Sequence, residues 1–258
     1  MRVDHTNGRS GLGRAALLAG LLLILGSTDG LAQRWQWPEK AENLKVLPED
    51  TGPDVLSATM RGFAMSLGVR CEHCHDDTNG TDLSQIDFAA DTKENKEVAR
   101  LMMKMVRRIN GETLSELDEN RPERVEVTCV TCHRGVALPR MLGDVLAEVN
   151  AGEGNEAAIS RYRELRDQYH GGFSYDFGER TLINLAGQLL QDGKPDDAAA
   201  FLHLNLEMFP DSWQTHYSFG EFYMRQQDNE NAIASFEKAY EINPAPWIQQ
   251  QLARLKGQ

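Results

Sequence analysis

No apolar run in this sequence is longer than the 11 residues of Ala15–Leu25, AALLAGLLLIL. A helix needs about 20 such residues to cross a bilayer, so this run is too short to span one comfortably. Positive charge is also short. Lys and Arg total 27 against 39 Asp and Glu, a net charge of −12. Such a chain does not seek nucleic acid or an anionic membrane surface, and a basic soluble partner would be steered toward it. There is no phosphate-cradling P-loop, no GxGxxG fingerprint and no nucleophile–base pair, which removes the common nucleotide-dependent and hydrolytic chemistries. Alternating strand-like stretches are few and helix formers plentiful, so the fold class expected is mainly α. Cysteine is scarce too: four residues, confined to two pentads.

The N-terminus reads as an address rather than as fold. Arg2, Arg9 and Arg14 precede the apolar run, and Gly30-Leu31-Ala32 offers small residues at −3 and −1. Residues 1–32 are therefore expected to be a secretory signal cleaved after Ala32. Left uncleaved, the run would be an anchor; either way the remainder is exported to the periplasm. Residues 33–258 hold 24 basic and 37 acidic side chains, so the exported part is the more acidic one.

The two pentads are Cys71-Glu72-His73-Cys74-His75 and Cys129-Val130-Thr131-Cys132-His133. Two disulfides are the first thought for an exported chain. A zinc ribbon is disfavoured because 54 residues separate the inner cysteines. A thioredoxin-like pair would want a βαβ context that is missing. The histidines decide among these. With 7 His in the chain, a chance His after both pairs has odds of about one in a thousand, and that residue is what covalent haem attachment requires. Two thiols about one helical turn apart reach the two vinyl groups of one haem, and the adjacent imidazole meets the iron. Two covalent haem c groups are expected, on Cys71 and Cys74 and on Cys129 and Cys132, with His75 and His133 as proximal ligands. His73 is expected to be an exposed polar side chain.

A haem with His and Met carries electrons at raised potential, whereas one with an open side can bind small molecules or act as a peroxidase. Asp54–Leu67 reads as a helix started near Pro53, with Met60, Ala64 and Leu67 on one face. Asn95–Asn110 reads as a stronger helix with the stripe Val98, Met102, Met105 and Ile109, ended by Gly111 as a C′ glycine. Helical Met is as often core as ligand. The order of helix with Met, connector and CxxCH nevertheless occurs twice.

The segments MRGFAMSLGVRCEHCHDD, EVARLMMKMVRRIN and EVTCVTCHRGVALP, within residues 48–142, resemble the multihaem cytochrome subunit of photosynthetic reaction centres. That subunit typically carries four haems; the two motifs here match its first half. The resemblance implies that each helix supplies an axial Met to the haem of the following motif, so that Met60 pairs with His75 and Met102 with His133. Met103 faces about 100° away round the helix, and Met105 is the runner-up.

Beyond Pro139 the pattern changes. Pro210 and Pro244 are 34 residues apart, and Phe219-Gly220, Tyr223, Ala232, Phe236 and Ala239 fall on the tetratricopeptide (TPR) pattern. A weaker copy includes Leu185-Ala186, Leu189, Ala198 and Leu202, with Gly193-Lys194-Pro195 as its turn. Asn155–His170 reads as a leading half-repeat, residues 151–154 as the joint, and Pro246–Lys256 as a cap. Trp213 and Tyr217 are candidates to line a groove, whereas Tyr223 is expected in the core. Residues 33–47 read as an extended arm, Asp76–Ala90 as a polar loop rather than a calcium site, and Leu114–Arg124 as a charged connector.

The expectation is a dihaem multihaem-cytochrome-type domain over 48–142 with long connecting loops, followed by a TPR-like hairpin stack over 143–258. Its function would be electron transfer between redox proteins or to a membrane complex, with the TPR region either binding a protein or peptide partner or serving as a structural brace, and no nucleic acid. A dihaem peroxidase and a haem-based sensor are the competing classes.

Overall fold

A computed structural model describes residues 35–117 and 125–257. The proposed signal 1–32 and part of the charged connector lie outside the described residues. Apart from one isolated bridge between Asp76 and Asp87, the regular structure described is helical.

Among the described residues, the N-terminal half contains three α-helices. α1 (Pro53–Leu67) starts on Pro53, whose missing N–H costs nothing in a first turn. It ends at Gly68, left-handed at φ 66°. α2 (Glu94–Arg108) has two acids in its first turn and Arg107 and Arg108 in its last, matching the helix dipole at both ends. α3 (Cys129–His133) is a single turn carrying the whole second pentad, and it packs on α1. Gly111 does not end α2 as a left-handed C′ glycine. The helix instead runs into a wide π-type turn over Ile109–Thr113 that contains it. The physical reason is a tertiary bond. Asn110 Nδ2 donates to the Val127 carbonyl at 2.7 Å and Asn110 Oδ1 accepts the Val127 N–H at 2.8 Å. The wider turn keeps this amide where it latches the chain two residues before Cys129, and such turns concentrate at functional positions.

The C-terminal half is seven helices packed as consecutive hairpins: α4 (Leu142–Glu153), α5 (Asn155–Tyr169), α6 (Glu179–Gln191), α7 (Pro195–Met208), α8 (Trp213–Arg225), α9 (Asn229–Ile242) and α10 (Pro246–Lys256). The half-repeat expected at Asn155 is a complete hairpin. α4 supplies its partner, and Leu142 and Leu146 bury against Ala158, Tyr162 and Leu165. Residues 151–153 are accordingly the last of α4, and Gly154 alone turns the chain at φ 90°. The Gly193 turn is as expected, with φ 73° and Lys194 N–H bonded to the Leu189 carbonyl at 2.9 Å. α10 caps the stack, burying Ile248, Leu252 and Leu255 against Ala232, Phe236 and Ala239. Trp213 and Tyr217 pack edge-to-face on Trp247, and Tyr217 also on Phe236, within this layer. Tyr223 stacks on Phe219, as a core residue would.

Gly220 marks the closest approach in the stack. A Cβ there would lie 2.6 Å from the Phe236 ring, and Phe236 is fully buried. Gly220→Ala is therefore expected to destabilise the chain by about 1–3 kcal/mol through overpacking, although Ala is the better helix former. Denaturant unfolding beside Gly187→Ala, where a Cβ meets open space, separates the two effects.

Candidate functional site: two CxxCH turns around one helix

The second pentad is built locally for attachment. Thr128 and Thr131 form a capping box, with Thr128 N–H bonded to Thr131 Oγ1 at 3.0 Å, so the helical turn begins at Cys129. Arg134 then closes it in the left-handed region at φ 49°. His133 Nδ1 lies 3.1 Å from the Val136 carbonyl. With the proton on Nδ1, this contact fixes the tautomer and leaves the Nε2 lone pair free, as a metal-ligating imidazole requires.

An apolar cleft opens beside this turn. It is lined by Cys129, Cys132 and His133, by Phe63 and Leu67 of α1, and by Val98, Met102, Met103, Met105 and Val106 of α2. It holds about 810 Å³ of non-atom space, solvent mouth included. Met102 and Met105 line it as their shared helix face implies. Met103 lines it too, because the cleft wraps further round α2 than one stripe. His73 and Cys74 of the first pentad reach the same cleft. His73 is thus half-buried at the apolar cleft, not the exposed side chain expected from sequence.

The first pentad is a 3₁₀ turn over Cys71–His73, closed by His75 N–H to the Cys71 carbonyl at 3.0 Å. His75 packs edge-on to Phe88, with ring centroids 5.0 Å apart. Its Nδ1 is buried with no hydrogen-bond partner. Burial, reinforced by the Lys96 ammonium and opposed by a backbone hydrogen bond at Phe88, holds the imidazole down to about 4. The ring is therefore neutral at physiological pH, the form that ligates a metal. Met60 is half-buried on α1 and lies on the side of Leu67. It is not among the residues lining the second-motif cleft.

α2 serves both pentads from opposite faces. While its Met face lines the cleft, its other face organises the loop around His75. Lys96 is buried, and its Nζ donates to the carbonyls of Phe88, Ala89 and Ala90 at 3.0, 3.0 and 2.7 Å while pairing with Asp91 at 3.1 Å. Arg100 pairs with Asp91 at 2.9 Å and donates to the Asn43 carbonyl at 3.1 Å. Arg107 donates to the Val46 carbonyl and Lys45 pairs with Asp91, so the arm is tied along α2. In the loop, Asp87 Oδ1 accepts the N–H groups of Ala89 and Ala90. Asp76 caps Thr78 and accepts the Thr92 hydroxyl. These carboxylates serve turns rather than a cation, and no metal-holding cluster is found among the described residues.

Lys96→Met would strand three carbonyls and leave Asp91 with less compensation. Asp91 keeps 26% exposure, so the cost is expected below the full buried-pair penalty, at about 2–3 kcal/mol. Lys104, exposed on the same helix, is the control, and Lys104→Met should change unfolding free energy by less than about 0.5 kcal/mol.

Lys96 and Asn110 were not legible as functional residues. Each acts on backbone carbonyls or amides, which carry no residue-type signal. His73 could have been found by its place between two cysteines that face a cleft.

The donor set fits haem c. All four cysteines are free thiols, each pair sits on one turn, one imidazole has its Nε2 free and the other has a buried unpartnered nitrogen. Comparison with known proteins agrees. Residues 71–164 match the family model of the photosynthetic reaction centre cytochrome C subunit, and residues 214–246 match a tetratricopeptide repeat. Over 108 residues the chain is 30% identical to cytochrome c-554 of Chloroflexus aurantiacus, covering 42% of this chain and 23% of that protein. The chain thus spans less than a quarter of the length of the curated relative it matches. Residues 71–164 are thus similar to a c-type cytochrome segment, and the tetratricopeptide resemblance is matched over residues 214–246. α1, with Met60, precedes the matched segment.

Proposed function

We propose that this chain is an exported dihaem c-type cytochrome that passes electrons between redox partners outside the cytoplasm. The observation that carries the reading is the single apolar cleft bringing His133, Cys129 and Cys132 against the methionines of α2. Cys71 and Cys74 would hold one haem and Cys129 and Cys132 the other. His75 and His133 would be proximal ligands, with Met60 and Met102 distal. Haem c, when bound, supplies a one-electron ferric–ferrous couple. The protein's part is to tether it, to fix the imidazole tautomers, to exclude water with apolar side chains and to raise the potential through a thioether ligand. The acidic surface favours a basic redox protein as partner, and the relative named a cytochrome supports the electron-carrier role. Residues 48–142 would form the haem-bearing domain and 143–258 the helical repeat domain, an adaptor for a protein or peptide partner.

The test is expression with periplasmic cytochrome c maturation. Two covalent haems by intact mass and pyridine haemochrome, with a reduced spectrum unmoved by carbon monoxide, are expected. One haem, or a clear shift with carbon monoxide, would overturn the dihaem electron-carrier reading and favour a peroxidase or sensor.

A further inference from the structure

Arg134, the residue after His133, is a non-glycine in the left-handed region at φ 49°. That conformation costs about 1–2 kcal/mol for an L-residue, and such strain persists only where the surroundings over-determine it. The Arg134 side chain is exposed, so backbone contacts must hold the conformation. One comes from the far half of the chain. Ser174, in the loop between α5 and α6, donates its hydroxyl to the Arg134 carbonyl at 2.7 Å. The same Oγ lies 3.4 Å from where a Cβ on Gly135 would stand. On the other side Gly135 N–H donates to the Ser66 carbonyl at 2.8 Å. The clamped pair Arg134-Gly135 separates His133 from Val136, whose carbonyl lies 3.1 Å from His133 Nδ1.

We infer that Ser174 is a positioning residue for the second haem: it pins the Arg134–Gly135 turn and thereby sets the hydrogen bond that orients His133. This makes the α5–α6 loop of the helical repeat half part of the axial histidine's surroundings. A perturbation of that loop reaches the proximal imidazole through one hydroxyl and two peptide units. The inference rests on the reading that His133 carries a haem.

The experiment compares Ser174→Val with Ser174→Thr in the matured, haem-loaded chain; the two substitutions have the same shape and differ in the hydroxyl. Potentiometric titration and hydrogen–deuterium exchange of the segment around 134–136 are read together. Ser174→Val should shift one of the two redox waves, leave the other in place and speed exchange in that segment about three- to tenfold, the equivalent of one lost hydrogen bond. Ser174→Thr should restore both. Ser218→Ala, which removes a hydroxyl bonded only within α8, should do neither. Unmoved waves and exchange in Ser174→Val, with two haems still attached, would overturn the inference while leaving the dihaem reading intact. A wild-type chain with no haem on Cys129 and Cys132 would overturn both.

Discussion

Gly68→Ala is expected to destabilise the haem-loaded chain by about 3–4 kcal/mol, a large fraction of an ordinary domain's stability. Two costs combine. Gly68 sits at φ 66° and ψ 32°, where a Cβ costs about 1–2 kcal/mol. That Cβ would also lie 2.1 Å from the Gly135 carbonyl oxygen and 2.8 Å from its carbon. Both are backbone atoms, so no rotamer change relieves the overlap and the two chains must part, at a cost of about 1–3 kcal/mol. Parting them breaks the Gly135-to-Ser66 bond and loosens the residue pair behind His133. The redox wave of the second haem should therefore broaden or move in the same variant. Gly62→Ala, in the middle of α1 where a Cβ meets nothing within 4 Å, should instead stabilise by about 0.5–1 kcal/mol from helix propensity. Equal unfolding free energies for the two variants would mean that the end of α1 does not dock on the Cys129–Gly135 turn.

Met102→Ala is expected to change the redox chemistry most. Loss of a thioether ligand removes the feature that raises a His/Met haem's potential and leaves an open coordination position. One wave should fall, and the reduced protein should acquire a carbon-monoxide-dependent spectral shift that the wild type lacks. Because Met102, Met103 and Met105 all line the cleft, three single alanine variants are needed. Met103→Ala and Met105→Ala should leave the coordination unchanged. A shift in Met105→Ala alone would transfer the ligand role to Met105. Met60→Ala should lower the other wave, and a wave unmoved there would remove Met60 from the coordination of the first haem.

The extent to which the site was legible follows from how far apart its interacting parts lie. Each CxxCH motif is written within five residues, so both pentads are visible in the sequence as candidate attachment sites. The TPR period, the Gly193 turn and the capping role of Pro246–Lys256 are likewise set by neighbours in sequence. Gly111 was misread as a helix stop, because the Asn110–Val127 pair, 17 residues apart, turns the end of α2 into a wide turn. α4 was missed as the partner of α5, and the Ala-Gly-Glu-Gly stretch was read as a joint. Its Gly154 turn is locally the same object in either setting.

By itself the sequence determined where the two CxxCH motifs stand and what kind of helical scaffold follows, since both depend on fixed spacings along the chain. Tertiary structure decided which methionines share a cleft with His133, that His73 reaches that cleft, that Lys96 gathers three carbonyls beside His75, and that Ser174 touches the turn behind His133. These are contacts to backbone or across tens of residues, and they depend on the path of the chain rather than on the identity of the residue that receives them.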